Sequence, residues 1–316
     1  MSIEHVLFVE KYRPQKVQDC ILPARTLSVA QSFVDKGSIP NLLLSGPAGT
    51  GKTTLAIALC KELDYDYMVI NGSNEGRLLD TLRTKVVDFA SSVSFSGSRK
   101  IVILDEADYI PDTVQAALRN FIEEFSRNCG FVLTCNFPNR IIEPLHSRTT
   151  TIDFTIPADE RPELAKKMFS RVMEILDEND ITYDKKAVGA VVKQFFPDFR
   201  RTLNEIQRYA STGNIDSGIL AVSGSTDITD LVKYLSEKDF KEMRKWVATT
   251  PNLEMSNLCR KLYDTCYDFM SPGSIPQLVL ILADYQFKSA FVADKEINIA
   301  AMMTQIMIDC EFRESK

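Results

Sequence analysis

The residues of this 316-residue chain that could do chemistry gather first in a glycine-rich turn, where positions 46–53 read Gly-Pro-Ala-Gly-Thr-Gly-Lys-Thr. This spacing fits G-x-x-x-x-G-K-[ST], in which backbone N–H groups and the positive end of the following helix surround a phosphate. Lys52 can reach the β- and γ-phosphates of a nucleotide, and the Thr53 hydroxyl can ligate Mg²⁺. A chance match is the alternative, but the apolar run before the turn and the helix-like run after it favour nucleotide binding.

Two carboxylates end a second apolar run, which reads Ile-Val-Ile-Leu-Asp-Glu at 101–106. Beside a phosphate turn, Asp105 can hold the hydration shell of Mg²⁺, and Glu106 can polarise a water for in-line attack on the γ-phosphorus. A solvated acidic turn is the alternative. With Asp108 the letters spell Asp-Glu-Ala-Asp, as in helicases of the DEAD-box type. Such helicases need a second parallel-sheet domain, which the helical remainder of this chain does not predict.

Three polar residues in other segments are candidates for the same site. Asn136 follows an apolar run and could hydrogen-bond the γ-phosphate or the attacking water, or simply open a turn. Arg148 precedes the last predicted strand and is either a solvated charge or an arginine finger that enters a neighbour's site. Arg200 opens a helix-like run, where the macrodipole disfavours a positive charge by roughly 0.3–1 kcal/mol, so a phosphate contact would explain it better than a surface position.

These residues are predicted to lie on a parallel sheet with helices on both faces, because apolar strand-like runs alternate with amphipathic runs in the first half of the chain. Ligands of such sheets bind beyond the carboxyl ends of the strands, where the phosphate turn falls. The predicted strands are 41–45, 67–70, 101–105, 131–134 and 150–154, and the predicted helices are 52–63, 78–92 and 113–125.

From residue 160 onward only helical periodicity is visible, with predicted helices at 161–178, 185–195 and 199–210. The segment 223–227 reads as a linker. Further helical runs are predicted near 228–236, 239–249, 252–269, 274–287 and 294–312. The pattern predicts three domains, at 1–156, 157–226 and 227–316.

Composition limits the class of protein. Hydrophobic residues make up 45% and charged residues 25%, an ordinary globular balance, and the net charge is −6. Contact with DNA must therefore come from a local cluster or from assembly, not from overall charge. The 7 cysteines show no C-x-x-C pair, which argues against disulfides or zinc and favours a reducing cytoplasm. No secretory signal or membrane-spanning run is expected.

Taken together, these segments resemble the AAA+ ATPases, and among them the sliding-clamp loaders, with the bacteriophage branch most similar. The segment 9–14, Val-Glu-Lys-Tyr-Arg-Pro, resembles the N-terminal motif that packs the adenine in that family. The segments 115–119 with Glu123, 133–136, 141–148 and 196–200 also run parallel to clamp-loader subunits. Two departures are Thr149, where the family has cysteine after the finger arginine, and Pro197, where it has glycine.

The resemblance implies an α/β P-loop NTPase (AAA+) domain with a parallel sheet, a small helical lid domain and an all-helical collar domain. It implies ATP and Mg²⁺ as cofactors, with Thr53 and Asp105 at the metal. The catalytic residues that it implies are Lys52, Asp105, Glu106, Asn136, Arg148 and Arg200. The nucleotide-binding residues that it implies are Val9, Glu10, Lys11, Tyr12, Arg13, Pro14, Ile21, Gly49, Thr50, Gly51, Lys52, Thr53, Thr54 and Arg200.

The resemblance also implies partners and a function. Arg77, Arg83 and Lys85 match the family's DNA-facing helix, although a solvated helix face is the alternative. Gln115 and Arg119 either couple DNA contact to Glu106 or have packing and surface roles. The implied protein is an ATPase subunit that opens a ring-shaped sliding clamp and places it on primer–template DNA, with DNA-triggered hydrolysis. It would act with copies of itself and a small clamp-loader subunit in a pentamer, away from membranes, in the cytoplasm of an infected bacterium.

Two other functions are compatible with the sequence. One is a scaffold that binds ATP without hydrolysing it, against which the intact Lys52, Asp105 and Glu106 argue. The other is a different AAA+ remodeller, such as a helicase loader or a branch-migration motor, against which the helical collar argues.

Overall fold

A computed structural model describes residues 7–73, 82–92, 99–211, 214–215, 228–250, 253–289 and 291–313. The chain forms two compact units, Met1–Ile219 and Leu220–Lys316. The first unit holds the whole phosphate turn and both carboxylates of the strand end. The finer division into three domains at 156/157 and 226/227 stays a prediction.

Five strands in the described part of the first unit form one parallel sheet in the order β2-β3-β4-β1-β5. The strands are β1 Leu42–Ser45, β2 Tyr67–Asn71, β3 Lys100–Asp105, β4 Cys129–Cys135 and β5 Thr150–Asp153. All five predicted strands are present, with ends shifted by one or two residues. The alternating pattern therefore predicted the fold class correctly.

The sheet is buried on both faces, which is why its strands read as continuous apolar runs. Successive side chains of β3 point to opposite faces: Ile101 and Ile103 join one core cluster, whereas Val102 and Leu104 join the other. The first cluster includes Leu55 and Leu59 of the helix after β1, and the second includes Leu118 of the helix after β3.

The helices around the sheet are α1 Phe8–Lys11, α2 Ala24–Asp35, α3 Lys52–Glu62, α4 Val87–Ser91, α5 Asp112–Glu124 and α6 Glu143–His146. A wider π-helical stretch, Leu82–Val86, runs directly into α4. The prediction of one helix over 78–92 therefore holds only in part, because 78–81 lie outside the described residues.

The rest of the first unit contains α7 Arg161–Glu178, α8 Lys185–Phe195 and α9 Phe199–Ala210, with the predicted bounds. Between and after these helices, β6 Thr182–Tyr183 and β7 Asn214–Ile215 pair in parallel. The prediction that only helices follow residue 160 was wrong at this point. Two-residue strands are too short to produce a period-two pattern, so hydrophobic periodicity cannot detect them.

The second unit is helical in its described part, with α10 Thr229–Ser236, α11 Phe240–Thr249, α12 Met255–Phe269, α13 Ile275–Lys288 and α14 Lys295–Asp309. The last helix ends three residues before the predicted 312, because Phe312 forms a β-bridge with Met270 and its ring stacks on Phe269. Among the described residues, no helix combines the length and the apolar character needed to cross a bilayer.

All cysteines of the chain fall in described segments, and each is a free, buried thiol. Burial is the main cause that raises the pKa of Cys20 and Cys60 to about 12, so these thiols stay protonated. The cysteines are therefore core residues.

Candidate nucleotide site

The phosphate turn joins the end of β1 to the start of α3 and encloses the Lys52 ammonium. Lys52 is only 8% exposed, and its Nζ donates to the carbonyl oxygens of Gly46 and Pro47, both at 2.7 Å, and to Asn136 Oδ1 at 2.9 Å. These acceptors are all uncharged. Burial lowers the pKa of Lys52, because desolvation disfavours its charged form. A buried cation with neutral partners at a helix N-terminus is suited to bind an anion.

The carboxyl end of β3 brings Asp105 to the Thr53 hydroxyl. Thr53 Oγ1 and Thr134 Oγ1 both donate to Asp105 Oδ1, each at 2.6 Å. Carboxylate and hydroxyl oxygens are the ligand type that Mg²⁺ prefers, alongside phosphate oxygens and water. Thr53 and Asp105 therefore fit a magnesium ion next to the phosphate turn. Among the described residues, no cluster of three or more His, Cys, Asp and Glu side chains suggests another metal site.

Glu106 follows Asp105 in a left-handed backbone conformation, with φ 56° and ψ 46°. For a residue with a side chain, this region costs of the order of 1–3 kcal/mol, and such residues gather at functional sites. Its N–H donates to Thr134 Oγ1 at 3.0 Å. Glu106 lines the same cavity as Lys52 and Asp105.

Asp108, the last letter of Asp-Glu-Ala-Asp, fixes the end of β4. It is 5% exposed, and its Oδ2 accepts the N–H groups of Asn136 and Phe137, each at 3.1 Å. The Asn136 amide oxygen in turn meets the Lys52 ammonium. The motif therefore links the ends of β3 and β4 to the phosphate turn, and Asp108 is a site residue that sequence reasoning did not assign.

Helix α9 closes the cavity over the phosphate turn. Phe199 N donates to the Gly49 carbonyl at 3.0 Å, and a Cβ on Gly49, which has φ 73°, would lie 1.9 Å from Asp198 Oδ1. Only glycine fits this approach. Arg200, the second residue of α9, also lines the cavity. Its positive charge lowers the pKa of Lys52, in addition to the larger effect of burial. The two cations therefore converge on one space, although they come from segments about 150 residues apart in the sequence.

Most residues predicted to bind nucleotide, hold the metal or act in catalysis line this one cavity. They are Val9, Tyr12, Arg13, Pro14, Ile21, Gly49, Thr50, Gly51, Lys52, Thr53, Thr54, Asp105, Glu106, Asn136 and Arg200. Glu10 and Lys11 are not among the lining residues. Glu10 forms an ion pair with Arg13 at 2.6 Å, and Lys11 donates to Asn179 Oδ1 at 3.0 Å.

Helices α7 and α9 and strand β4 contribute lining residues that sequence reasoning did not assign to the site. Met168, Arg171 and Ile175 of α7 and Leu203 of α9 line the cavity, as does Thr134 of β4. The Arg171 guanidinium lies 5.8 Å from the centroid of the Tyr12 ring. Positions 168, 171 and 175 share one face of a helix, which is the only signal that the sequence offered for them.

Arg148 lies outside the cavity lining of its own chain. Its guanidinium pairs with the Glu123 carboxylate of α5, and its Nη1 donates to the Pro144 carbonyl at 2.9 Å. The hydrogen bond from Arg148 lowers the pKa of Glu123. Arg148 is therefore a half-buried arginine that these contacts hold outside the lining of its own cavity.

The predicted DNA-contacting residues are described only in part. Arg77 and the side chain of Arg83 lie outside the described residues, and Lys85 is exposed. Gln115 is 1% exposed, and its Nε2 donates to the carbonyls of Ile110 and Arg140 while its Oε1 accepts from Ile142 N. These bonds tie α5 to the segment after β4.

Comparisons with known proteins show which family the chain resembles. Residues 42–157 match the AAA family, the ATPase family associated with various cellular activities, and residues 160–221 match the AAA+ ATPase lid domain of the sliding-clamp-loader large subunit. The chain is 37% identical to the sliding-clamp-loader large subunit of Escherichia phage RB69, over 99% of this chain and 98% of that protein. It is 36% identical to that of Enterobacteria phage T4, over 98% of each.

Among solved structures, the Thermotoga maritima RuvB Holliday junction branch migration motor has a TM-score of 0.52 at 18% identity, over 79% of this chain and 85% of that chain. This likeness is one of fold alone. The sequence relatives are more specific, because they match at 36–37% identity over nearly the whole chain. The chain belongs to the AAA family of ATPases and, within it, to the sliding-clamp-loader large subunits.

Proposed function

We propose that this protein is the ATP-hydrolysing subunit of a clamp loader, which opens a ring-shaped sliding clamp and places it on primer–template DNA. The observation that carries the proposal is the convergence of Lys52, Glu106 and Arg200 on one cavity beside the phosphate turn. Membership in the sliding-clamp-loader large subunits directs this ATP chemistry to clamps and DNA.

The phosphate end of the cavity binds the triphosphate and prepares it for attack. The backbone N–H groups of the turn and Lys52 bind the β- and γ-phosphates, and Arg200 binds them from the lid side. Thr53 and Asp105 would hold Mg²⁺, which would neutralise charge that develops on the phosphate oxygens. Because α9 contacts Gly49 directly, binding of the triphosphate also fixes the lid against the sheet.

The proton of the attacking water passes to Glu106. Its carboxylate stands at the end of β3, next to the phosphates that Lys52 holds, and Asn136 orients the water or the γ-phosphate. Arg148 of an adjacent subunit supplies the positive charge that stabilises the transition state. Hydrolysis therefore depends on assembly, which suits a motor that must hydrolyse ATP only in the complete complex.

The opposite end of the cavity holds the adenine among Val9, Tyr12, Arg13, Pro14 and Ile21. These side chains come from the N-terminal segment and are mostly apolar or aromatic. Apolar and stacking contacts bind a base without requiring buried charge. This end therefore contributes affinity and orientation, not chemistry.

The assembly that we propose contains several copies of this chain with a small clamp-loader subunit, in a pentamer around primer–template DNA. Phosphate contacts by Arg77, Arg83 and Lys85 would be independent of sequence and weakened by salt. Since both phage relatives match nearly the whole chain, we place this activity in the cytoplasm of an infected bacterium.

The test is the ATPase rate of the assembled complex, measured alone, with a sliding clamp, with primed DNA, and with both. The rate is expected to be low alone and highest with both, because finger contact and DNA binding complete the site. Turnover that neither clamp nor primed junctions change would contradict clamp loading. Unprimed single-stranded DNA is the matched control.

Two alternatives give different results. A scaffold that binds ATP without hydrolysing it would show no turnover under any condition, and the presence of Glu106 and Asp105 in the cavity argues against it. A branch-migration motor, suggested only by fold, would form closed hexameric rings in electron microscopy, whereas a clamp loader would form open five-membered ones.

A further inference from the structure

The backbone of Glu106 is held from both neighbouring strands, β2 and β4. On the β2 side, Gly72 follows the last strand residue, and its N–H donates to the Asp105 carbonyl at 2.7 Å. A Cβ on Gly72 would lie 2.6 Å from the Glu106 carbonyl oxygen and 2.8 Å from Ile110 Cγ1. These separations are well below the roughly 3.3–3.6 Å of close carbon–oxygen contacts in proteins.

This close contact cannot be relieved by rotating a side chain, because the oxygen belongs to the backbone. The Glu106 carbonyl also accepts the Tyr109 N–H at 3.1 Å, and Ile110 is 3% exposed within the core. Any side chain at position 72 would therefore displace the end of β3. The two carboxylates of the site stand at that end.

On the β4 side, Thr134 holds the other end of the Glu106 peptide unit. Its Oγ1 accepts the Glu106 N–H at 3.0 Å and donates to Asp105 Oδ1 at 2.6 Å. Thr134 is 1% exposed, so neither bond competes with bulk water. The hydroxyl is therefore placed to hold the backbone of Glu106 and the carboxylate of Asp105 in one arrangement.

We infer that Gly72 and Thr134 are positioning residues that together maintain the left-handed backbone of Glu106 and so aim its carboxylate at the attacking water. A glutamate does not adopt this conformation without support from its surroundings. Gly72 provides the space for the Glu106 carbonyl, and Thr134 provides the acceptor for its N–H. The inference rests on the proposed function, because it assumes that Glu106 is the base.

The test compares Gly72→Ala and Thr134→Val in the assembled complex, with clamp, primed DNA and saturating Mg²⁺. Each is expected to lower kcat by about 10–100-fold, since a misplacement of about 1 Å costs a factor of that order. The Kd for a nonhydrolysable ATP analogue should change by less than about threefold, because Lys52 and Arg200 are untouched. A fall in affinity as large as the fall in kcat would indicate general distortion and overturn the inference.

Gly189→Ala is the matched control for the glycine. Gly189 lies in α8, and an added Cβ would meet only Phe169 Cε2 at 3.7 Å, an ordinary contact. Its kcat and Kd should equal those of the unaltered protein. Should Gly72→Ala fail to fold by circular dichroism, Thr134→Val decides alone, because valine has nearly the same shape as threonine.

Combination with Glu106→Gln separates this inference from the function on which it rests. If Gly72 and Thr134 act through Glu106, adding either change to Glu106→Gln should slow hydrolysis no further. Undiminished hydrolysis by Glu106→Gln alone would overturn the proposed role of Glu106. Hydrolysis lost in Glu106→Gln but normal in both Gly72→Ala and Thr134→Val would overturn only the positioning inference.

Discussion

At the proposed phosphate end of the cavity, hydrogen bonds between strand ends hold the side chains, whereas the proposed base end, around Tyr12 and Ile21, is formed by side chains of separate helices and segments. Lys52 Nζ donates to Asn136 Oδ1 at 2.9 Å, and Asp105 Oδ1 accepts from the hydroxyls of Thr53 and Thr134 at 2.6 Å. At the base end, Tyr12 and Arg171 are related by a ring contact of 5.8 Å.

This difference corresponds to the two tasks that we propose for the site. Phosphoryl transfer depends on charges fixed to within a fraction of an ångström, so its residues stand on the edge of a rigid parallel sheet. Binding a flat base tolerates small shifts, so helices that pack by apolar contacts are sufficient. Changes at the phosphate end should therefore reduce kcat, and changes at the base end should raise KM.

The largest effect on turnover is expected for Arg148, which does not line the cavity of its own chain. Arg148→Ala should lower turnover by about 10³–10⁵-fold, the usual effect of an arginine finger, with ATP binding retained. Mixing Arg148→Ala with Lys52→Ala protein should restore part of the rate. Some interfaces would then pair an intact phosphate site with an intact arginine. Mixed assemblies that stay inactive would remove the claim that Arg148 acts between subunits.

A smaller loss is expected at Glu106, within the cavity. Glu106→Gln should reduce kcat by about 10²–10⁴-fold, as removal of a general base does, while ATP stays bound. Single-turnover assays and filter binding would separate the two quantities. A variant that binds ATP as weakly as Lys52→Ala would mean that Glu106 serves binding, and the contrast between the two ends of the cavity would lose its strongest support.

At the base end, Ile21→Ala should raise the KM for ATP by about three- to tenfold through lost apolar contact, with kcat unchanged. Steady-state kinetics at several ATP concentrations measure both. Val69→Ala, at a half-exposed strand position away from the cavity, is the control and should change neither. A fall in kcat for Ile21→Ala would contradict the division of tasks between the two ends.

The smallest effect concerns the lid. Asp198 and Asp184 both cap helices, accepting the N–H groups of Arg201 and Lys186 at 2.9 Å. Replacing either by Ala should cost about 1 kcal/mol of stability in thermal unfolding. Only Asp198→Ala should also weaken ATP binding, because Asp198 lies against Gly49 and precedes Arg200. Equal ATP affinities in the two variants would mean that the contact between Asp198 and Gly49 does not contribute to nucleotide binding.

The same contrast between the two ends explains what the sequence could predict. The phosphate turn and the Asp105–Glu106 pair are contiguous, carry charge and follow apolar runs, so their chemistry and position were readable. Arg200 was predicted because the helix macrodipole disfavours a positive charge at a helix start, so a contact with an anion explains it better than a surface position. These signals depend on charge and on local spacing, and both can be recognised without knowledge of the fold.

The lining residues of α7 were less readable for a physical reason. Met168 and Ile175 follow the same helical period as core residues, and nothing in their type separates a wall of a cavity from a packed interior. Likewise, the left-handed backbone of Glu106 and the need for glycine at position 72 arise from contacts between strands that are distant in sequence. Sequence periodicity cannot report such contacts.

The most direct test of the account is a structure of the complex with Mg²⁺ and a nonhydrolysable ATP analogue. The account predicts the γ-phosphate within about 3 Å of Lys52 Nζ and the Arg200 guanidinium, with the adenine beside Tyr12 and Ile21. It also predicts that Arg148 of the adjacent subunit faces the same phosphate. An analogue bound elsewhere, or a γ-phosphate remote from Lys52 and Arg200, would contradict it.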